Sequence, residues 1–126
     1  MELYCYLCNR KKIKLEILRK DKLVKLKRKN RGNSKLIAAI DKLILDIENS
    51  EWKTKKDILQ IRPDADCVHS DGFYFFDINI HRTMILIVFE QGEAVIIWTG
   101  SHDDYDTTFK GNKNTIEKWL RNQQLI

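Results

Sequence analysis

The residues best suited to proton transfer are grouped in one short segment, Gly-Ser-His-Asp-Asp-Tyr-Asp at residues 100–106. If this segment begins a helix, His102 and Tyr105 lie on the same face, because residues three apart are neighbours on a helix. Histidine transfers protons near neutral pH, and a tyrosine with a lowered pKa can assist it. The segment therefore predicts an acid–base site. The alternative interpretation is a surface turn, with Tyr105 packed in the core.

A candidate for binding anions is Arg82, which stands at the start of a predicted central strand. A charge at that place is expected when the side chain faces a functional surface. A planar guanidinium can bind two phosphate oxygens at once. Lys110 and Lys113 follow the histidine–tyrosine pair closely in the sequence. Together these cations could bind a phosphodiester.

Positive charge is concentrated in the first 35 of the 126 residues, which hold 13 Lys or Arg against 3 Asp or Glu. The remaining residues hold 10 Lys or Arg against 15 Asp or Glu, although the overall charge is +5. Such clustering favours nucleic acid as a partner, with a solvated surface as the alternative. The residues of this segment expected to contact a nucleic-acid backbone are Lys25, Lys27, Arg28 and Lys29.

Several classes of protein are excluded by what the sequence lacks. It has no apolar run of the roughly 20 residues that a membrane-spanning helix needs. The first residues place apolar groups before charged ones, the reverse of a secretory signal, so a cytoplasmic protein is expected. No glycine-rich phosphate loop, H-E-x-x-H, G-x-S-x-G or EF-hand pattern is present, and no cofactor is expected.

The three cysteines give a weak indication of a metal site. Cys5, Cys8, Cys67 and His69 have the number but not the spacing of a four-ligand zinc site. Free or buried thiols are the favoured interpretation, and no metal is predicted.

Helices are predicted to precede most of the strands. A short strand at residues 14–18 leads to a basic helix at residues 22–29, capped by Asp21. A longer helix, capped by Ser34 and ending near Asn49, has apolar residues at i, i+3, i+4 and i+7.

A third helix is predicted to begin at a capping box made by Thr54 and Asp57. It ends near residue 61, because the residue before Pro63 is disfavoured in a helix. Four strands follow, at residues 67–69, 73–79, 82–90 and 94–100. A final helix starts at Asn112 or Asn114. This order predicts an α+β fold with helices packed on one face of a curved antiparallel sheet.

Two blocks of this sequence resemble the HigB-type toxins of bacterial toxin–antitoxin pairs, which belong to the RelE-like superfamily. The first block reads Glu-Trp-Lys-Thr-Lys-Lys-Asp-Ile at residues 51–58, followed by Pro-Asp-Ala-Asp at residues 63–66. The second begins with a strand that Phe76 opens and that leads to Arg82, and it ends with Gly-Ser-His-x-x-Tyr-Asp at residues 100–106. The resemblance spans about residues 14–108. It implies a single RelE-like domain over residues 1–126, extended at residues 1–12 and 112–126.

The resemblance also implies an activity, that of an mRNA interferase. Such a toxin is a metal-independent endoribonuclease that cleaves messages, often on the ribosome, and is neutralised by a helix-turn-helix antitoxin of the HigA type. The family's strand arginine falls on Arg82, and its terminal histidine and tyrosine fall on His102 and Tyr105. The turn before Arg82 is shorter than the family's and lacks its glycine, which leaves His81 as a further candidate.

Three alternatives remain open on the sequence alone. The basic segment could bind an acidic segment of the antitoxin instead of RNA. The whole protein could be a non-catalytic basic module that binds nucleic acid. It could also be an interaction protein whose RelE-like site has decayed. Cleavage of RNA distinguishes the interferase from the last two.

Overall fold

The computed structural model describes residues 15–126, which form a five-stranded sheet with helices on both faces. The elements in chain order are β1 (Glu16–Leu18), α1 (Asp21–Lys29), α2 (Ser34–Glu48), α3 (Lys55–Ile61), β2 (Asp66–His69), β3 (Phe73–Ile78), β4 (His81–Val88), β5 (Glu93–Ser101), α4 (His102–Phe109) and α5 (Lys113–Asn122). A single 3-10 turn, Phe89–Gln91, connects β4 to β5. The predicted extension at residues 1–12, with Cys5 and Cys8, lies outside the described residues.

The predicted α+β class is confirmed, and one detail of the sheet is corrected. The strands lie in the order β1-β5-β4-β3-β2, and the meander from β2 to β5 is antiparallel. β1, however, pairs with β5 in parallel, with Glu16 opposite Glu93, so the sheet is mixed. A hairpin turn forces antiparallel pairing, but three helices and three strands separate β1 from β5, so either direction is open to them.

Local sequence sets the helix ends, and two of the predicted N-terminal caps are wrong. Asp21 and Ser34 are the first helical residues of α1 and α2 and not their caps. The residue before α1, Lys20, makes no side-chain cap, whereas Asn33 caps α2 by accepting a hydrogen bond from the Leu36 N–H. The predicted capping box of α3 is confirmed, and Asn112 is the cap of α5.

Two apolar cores lie on opposite faces of the sheet. The first packs α1, α2 and α3 against one face and is built from side chains such as Leu36, Ile40, Ile58, Phe76 and Ile96. The second packs α4 and α5 against the other face, with Tyr105, Phe109, Ile116 and Leu120 among its members. The N-terminal helices thus share one face as predicted, but the C-terminal helices cover the face that the prediction left open.

None of the helices within residues 15–126 combines the length and the apolar character needed to cross a bilayer.

Candidate functional site

The hairpin of β3 and β4 and the first turn of α4 bring the predicted site residues together. Arg82, the second residue of β4, lies opposite Asp77 in β3 and Gly100 in β5. Asn79, at φ 63°, takes the left-handed backbone conformation in the turn between β3 and β4. The His102 N–H donates to the Ile80 carbonyl at 3.1 Å, which fixes the start of α4 against this turn.

The guanidinium of Arg82 is held between two aromatic rings. Its Cζ lies 4.6 Å from the ring centroid of Tyr105 and 5.1 Å from that of Phe75. Its Nε donates to Oδ1 of Asp77 at 3.0 Å, and the side chain is only 12% exposed. Within residues 15–126 its two Nη atoms make no hydrogen bond, so the terminal fork can bind an anion.

The helix α4, which is not among the predicted helices, places His102 and Tyr105 on the same side of its first turn. Their ring centroids lie 6.2 Å apart at an interplanar angle of 68°. His102 is exposed, whereas Tyr105 is buried, with its ring edge-on to Phe75 at 4.9 Å. Neither side chain has a hydrogen-bond partner among the described residues. Tyr105 therefore contributes to the second core and at the same time lies beside Arg82 and His102.

The motif around His102 has a local structural reason. The Asp104 N–H donates to Oγ of Ser101 at 3.1 Å, and the Ser101 N–H donates to Oδ2 of Asp104 at 3.3 Å, so the two residues form a capping box. A Cβ at Gly100 would lie 2.6 Å from the ring of Trp98. Glycine thus lets Trp98 pack beside the strand end from which α4 begins.

A buried ion-pair network supports the hairpin that carries Arg82. Arg62, whose side chain is 10% exposed, pairs with Asp64 at 2.9 Å and Asp46 at 3.2 Å, and it donates to the Asp77 carbonyl at 3.0 Å. Asp64 in turn accepts a hydrogen bond from the Asp77 N–H at 2.8 Å. The Pro-Asp-Ala-Asp block therefore fixes the backbone of the residue whose carboxylate holds Arg82.

The role of Asp77 is absent from the sequence prediction, although a signal for it exists. Asp77 and Arg82 carry opposite charges on the two sides of the strand break, and opposite charges at facing positions of a hairpin attract. Phe75 and Arg62 carry no comparable local signal, because their contacts with Arg82 and Asp77 depend on the packing of distant segments.

His81 lies on the opposite face of β4 from Arg82, because consecutive strand residues alternate. Its Nδ1 is buried and has no hydrogen-bond partner among residues 15–126. Burial lowers the pKa of His81; the carboxylate of Asp104 opposes this change, and the positive charge of a protonated His102 adds to it. His81 lines a cavity of about 300 Å³ between α1 and the junction of β5 with α4, which we term the α1 groove.

The six predicted RNA-binding residues are not all in one place. Lys25 and Lys29 line the α1 groove. Lys27 forms an ion pair with Asp41 at 2.7 Å, and Arg28 is exposed without an ion pair among the described residues.

The two C-terminal lysines of that set stand apart from His102. Lys110 follows the last residue of α4, about 12 Å along the helix axis from His102. Lys113 begins α5 and lines another cavity, which it shares with Lys55 and His69. The structure thus does not place these two lysines beside Arg82.

No group of three or more His, Cys, Asp or Glu side chains within the described part of the chain is arranged to bind a metal ion. Cys67 donates a weak hydrogen bond from Sγ to the His69 carbonyl at 3.6 Å. Nδ1 of His69 accepts a hydrogen bond from the Asp71 N–H at 3.1 Å, so this nitrogen is occupied. Cys5 and Cys8 lie outside the described residues.

The five-stranded mixed sheet with its helices is consistent with the fold of the RelE-like α+β toxins. A family model, that of the RelE-like toxic component of a toxin–antitoxin system, matches residues 37–108. Because this match covers more than half of the chain, the protein belongs to the HigB toxin family, and an antitoxin is its implied partner. No curated protein matches the chain. The family match includes Arg82, His102 and Tyr105 and ends before α5.

Proposed function

We propose that this toxin is a metal-independent endoribonuclease that cleaves mRNA on the ribosome, in the cytoplasm. The observation that supports this most is the convergence of Arg82, Tyr105 and His102 at one end of β4. Arginine, tyrosine and histidine together supply a cation for a phosphate and groups for proton transfer. Membership of a RelE-like toxin family supports the same activity.

The reaction needs no metal, because RNA carries its own nucleophile. The 2′-hydroxyl attacks the adjacent phosphorus in line, the bond to the 5′-oxygen breaks, and a 2′,3′-cyclic phosphate and a 5′-hydroxyl result. The enzyme must align the nucleotide, accept the 2′ proton, stabilise the negative charge on the phosphorane-like transition state and protonate the leaving oxygen.

Each residue of the site is assigned a role in these steps. His102, which is exposed and without a side-chain hydrogen bond among residues 15–126, acts as general acid or base. Tyr105 is its partner or orients the phosphate. Arg82 stabilises the transition state through its terminal nitrogens, which can bind two phosphate oxygens.

The partners follow from the same proposal. Basic residues of α1 contact the backbone of the message or of ribosomal RNA without reading sequence; they are Lys25, Lys27, Arg28 and Lys29. Lys110 and Lys113 would contact RNA farther from the site. A HigA-type antitoxin with a helix-turn-helix domain neutralises the toxin.

The test is to induce the protein in bacterial cells and to map message 5′ ends by primer extension. Removing a positioned acid–base group costs about 10²–10⁴-fold in rate. We therefore expect growth arrest and new 5′ ends with the natural sequence and a loss of that order with His102→Ala. Thr107→Ala, an exposed change on the same helix, is the matched control.

New ends at an undiminished rate from His102→Ala would remove His102 from the mechanism. Soluble protein that produces neither arrest nor new ends but binds RNA would favour the non-catalytic binding module. The lysines of the α1 groove would then be its main binding surface.

A further inference from the structure

The α1 groove is a basic cavity on the side of the sheet opposite to Arg82. Three lysines of α1 line it with the spacing i, i+3 and i+7, which places them on one helix face. The strand ends and the first turn of α4 form its other wall. The lining residues with polar side chains include Lys22, Lys25, Lys29, His81, Ser101 and Asp104.

The charge of the groove is largely uncompensated. Within residues 15–126, Lys22, Lys25 and Lys29 form no ion pair, whereas Lys20 and Lys27 are paired with Glu48 and Asp41. The one carboxylate in the lining, Asp104, accepts the Ser101 N–H in the capping box of α4. Three lysines therefore face one carboxylate, and that carboxylate is already hydrogen-bonded. The resulting excess of positive charge in the lining favours a bound anion.

The groove and the proposed active site share a strand end. His81 and Arg82 are consecutive in β4, and their side chains point to opposite faces of the sheet. Ser101 lines the groove, and the next residue, His102, lies beside Tyr105. A chain that crosses the β3–β4 turn would contact both places.

We propose that the α1 groove binds a backbone phosphate of the RNA substrate next to the scissile one, with Lys22, Lys25 and Lys29 supplying charge and the His81 imidazole supplying a hydrogen bond. This inference rests on the proposed endoribonuclease function and adds the path of the RNA. The substrate would run over the end of the sheet, from the Arg82 face to the α1 face. Lys22 and His81 thereby join the binding surface.

The lining favours RNA over an acidic peptide. Protein partners are held mainly by apolar and aromatic side chains that fill pockets at the centre of an interface. The groove offers one large apolar side chain, Leu26, among lysines, an asparagine, a histidine and small polar residues. A phosphate needs only charge and donors, which this lining provides.

The experiment measures binding of the full-length chain to a single-stranded RNA whose riboses are 2′-O-methylated, so that no nucleophile is left. Dissociation constants from fluorescence anisotropy at several salt concentrations give the slope of log K against log salt. Each phosphate contact contributes about 0.7 to this slope for a single strand. The triple variant Lys22→Gln, Lys25→Gln, Lys29→Gln should lower the slope by at least about that amount.

Two further variants keep the result interpretable. Lys53→Gln, Lys56→Gln and Lys118→Gln together remove the same charge from exposed positions outside the groove and should leave the slope unchanged. Replacing the three groove lysines by arginine keeps the charge and should keep the slope. His81→Gln tests the imidazole separately and should weaken binding at constant charge.

An unchanged slope in the folded groove variant overturns the inference about the groove. The proposed endoribonuclease function would still stand if the natural sequence cleaves messages in cells. A groove variant that binds RNA normally but escapes the antitoxin also overturns it, in favour of a protein partner. A lowered slope together with absent cleavage would support the phosphate site while removing the proposed activity.

Discussion

Arg82 has a largely buried side chain whose terminal fork makes no hydrogen bond to any residue from 15 to 126. Two aromatic rings and Asp77 surround its guanidinium, and each ring contact is worth up to about 2 kcal/mol when water is excluded. These contacts restrict the rotamers of the side chain before any substrate arrives. A phosphate that binds to the fork therefore loses less free energy to side-chain ordering than it would with a mobile surface arginine.

His81 should make the stability of the protein depend on pH. Its pKa is lowered in the folded state, chiefly by burial, whereas an unfolded chain has an ordinary histidine pKa of about 6.5. Between these two values the unfolded state binds more protons, so the free energy of unfolding falls as the pH falls from 7.5 to 5.5. The urea midpoint of unfolding should therefore fall between pH 7.5 and pH 5.5, and it should fall less for His81→Gln than for the natural sequence.

The comparison with His81→Gln isolates this histidine from the carboxylates that titrate at lower pH. Equal decreases in the two proteins would show that the folded state does not disfavour the charged imidazole.

The turn after α3 is the element that fixes the β3–β4 hairpin. Arg62→Ala would leave Asp46 and Asp64 without their largely buried partner, and breaking such a pair costs about 3–5 kcal/mol. We expect a loss near the lower value, because the two carboxylates keep some contact with water. Asp64→Asn should cost less, since an amide oxygen can still accept the Asp77 N–H. Equilibrium unfolding in urea measures both, and a cost below about 1 kcal/mol for Arg62→Ala would contradict this role.

Elements encoded by neighbouring residues were predictable, and those that depend on distant packing were not. The period of apolar residues predicts α2, and Thr54 with Asp57 predicts the start of α3; both are confirmed. α4, which places His102 beside Tyr105, is not among the predicted helices, although Ser101 and Asp104 have the spacing of its capping box. The parallel pairing of β1, by contrast, joins segments more than seventy residues apart and leaves no local pattern.

The molecule as a whole depends on two separate cores, and the second one carries the proposed site. Leu120→Ala, at a fully buried position of α5, should lower the free energy of unfolding by about 3 kcal/mol through the transfer and cavity terms. Leu45→Ala is the control, because Leu45 is 57% exposed and should cost under about 0.5 kcal/mol. Similar urea midpoints for the two variants would show that α5 is not part of the cooperative fold.

The pairing of β1 with β5 also sets an order of events during synthesis. Residue 93, the first partner of β1, is made roughly 4 to 15 s after residue 16 at a synthesis rate of about 5–20 residues per second. His102 and Tyr105 come later still. Until residue 93 has been made, β1 has no neighbouring strand, and Arg82 itself is present only for the last part of that interval. The site around Arg82 is therefore complete only after residue 105 has been made, late in the synthesis of the sequence described here.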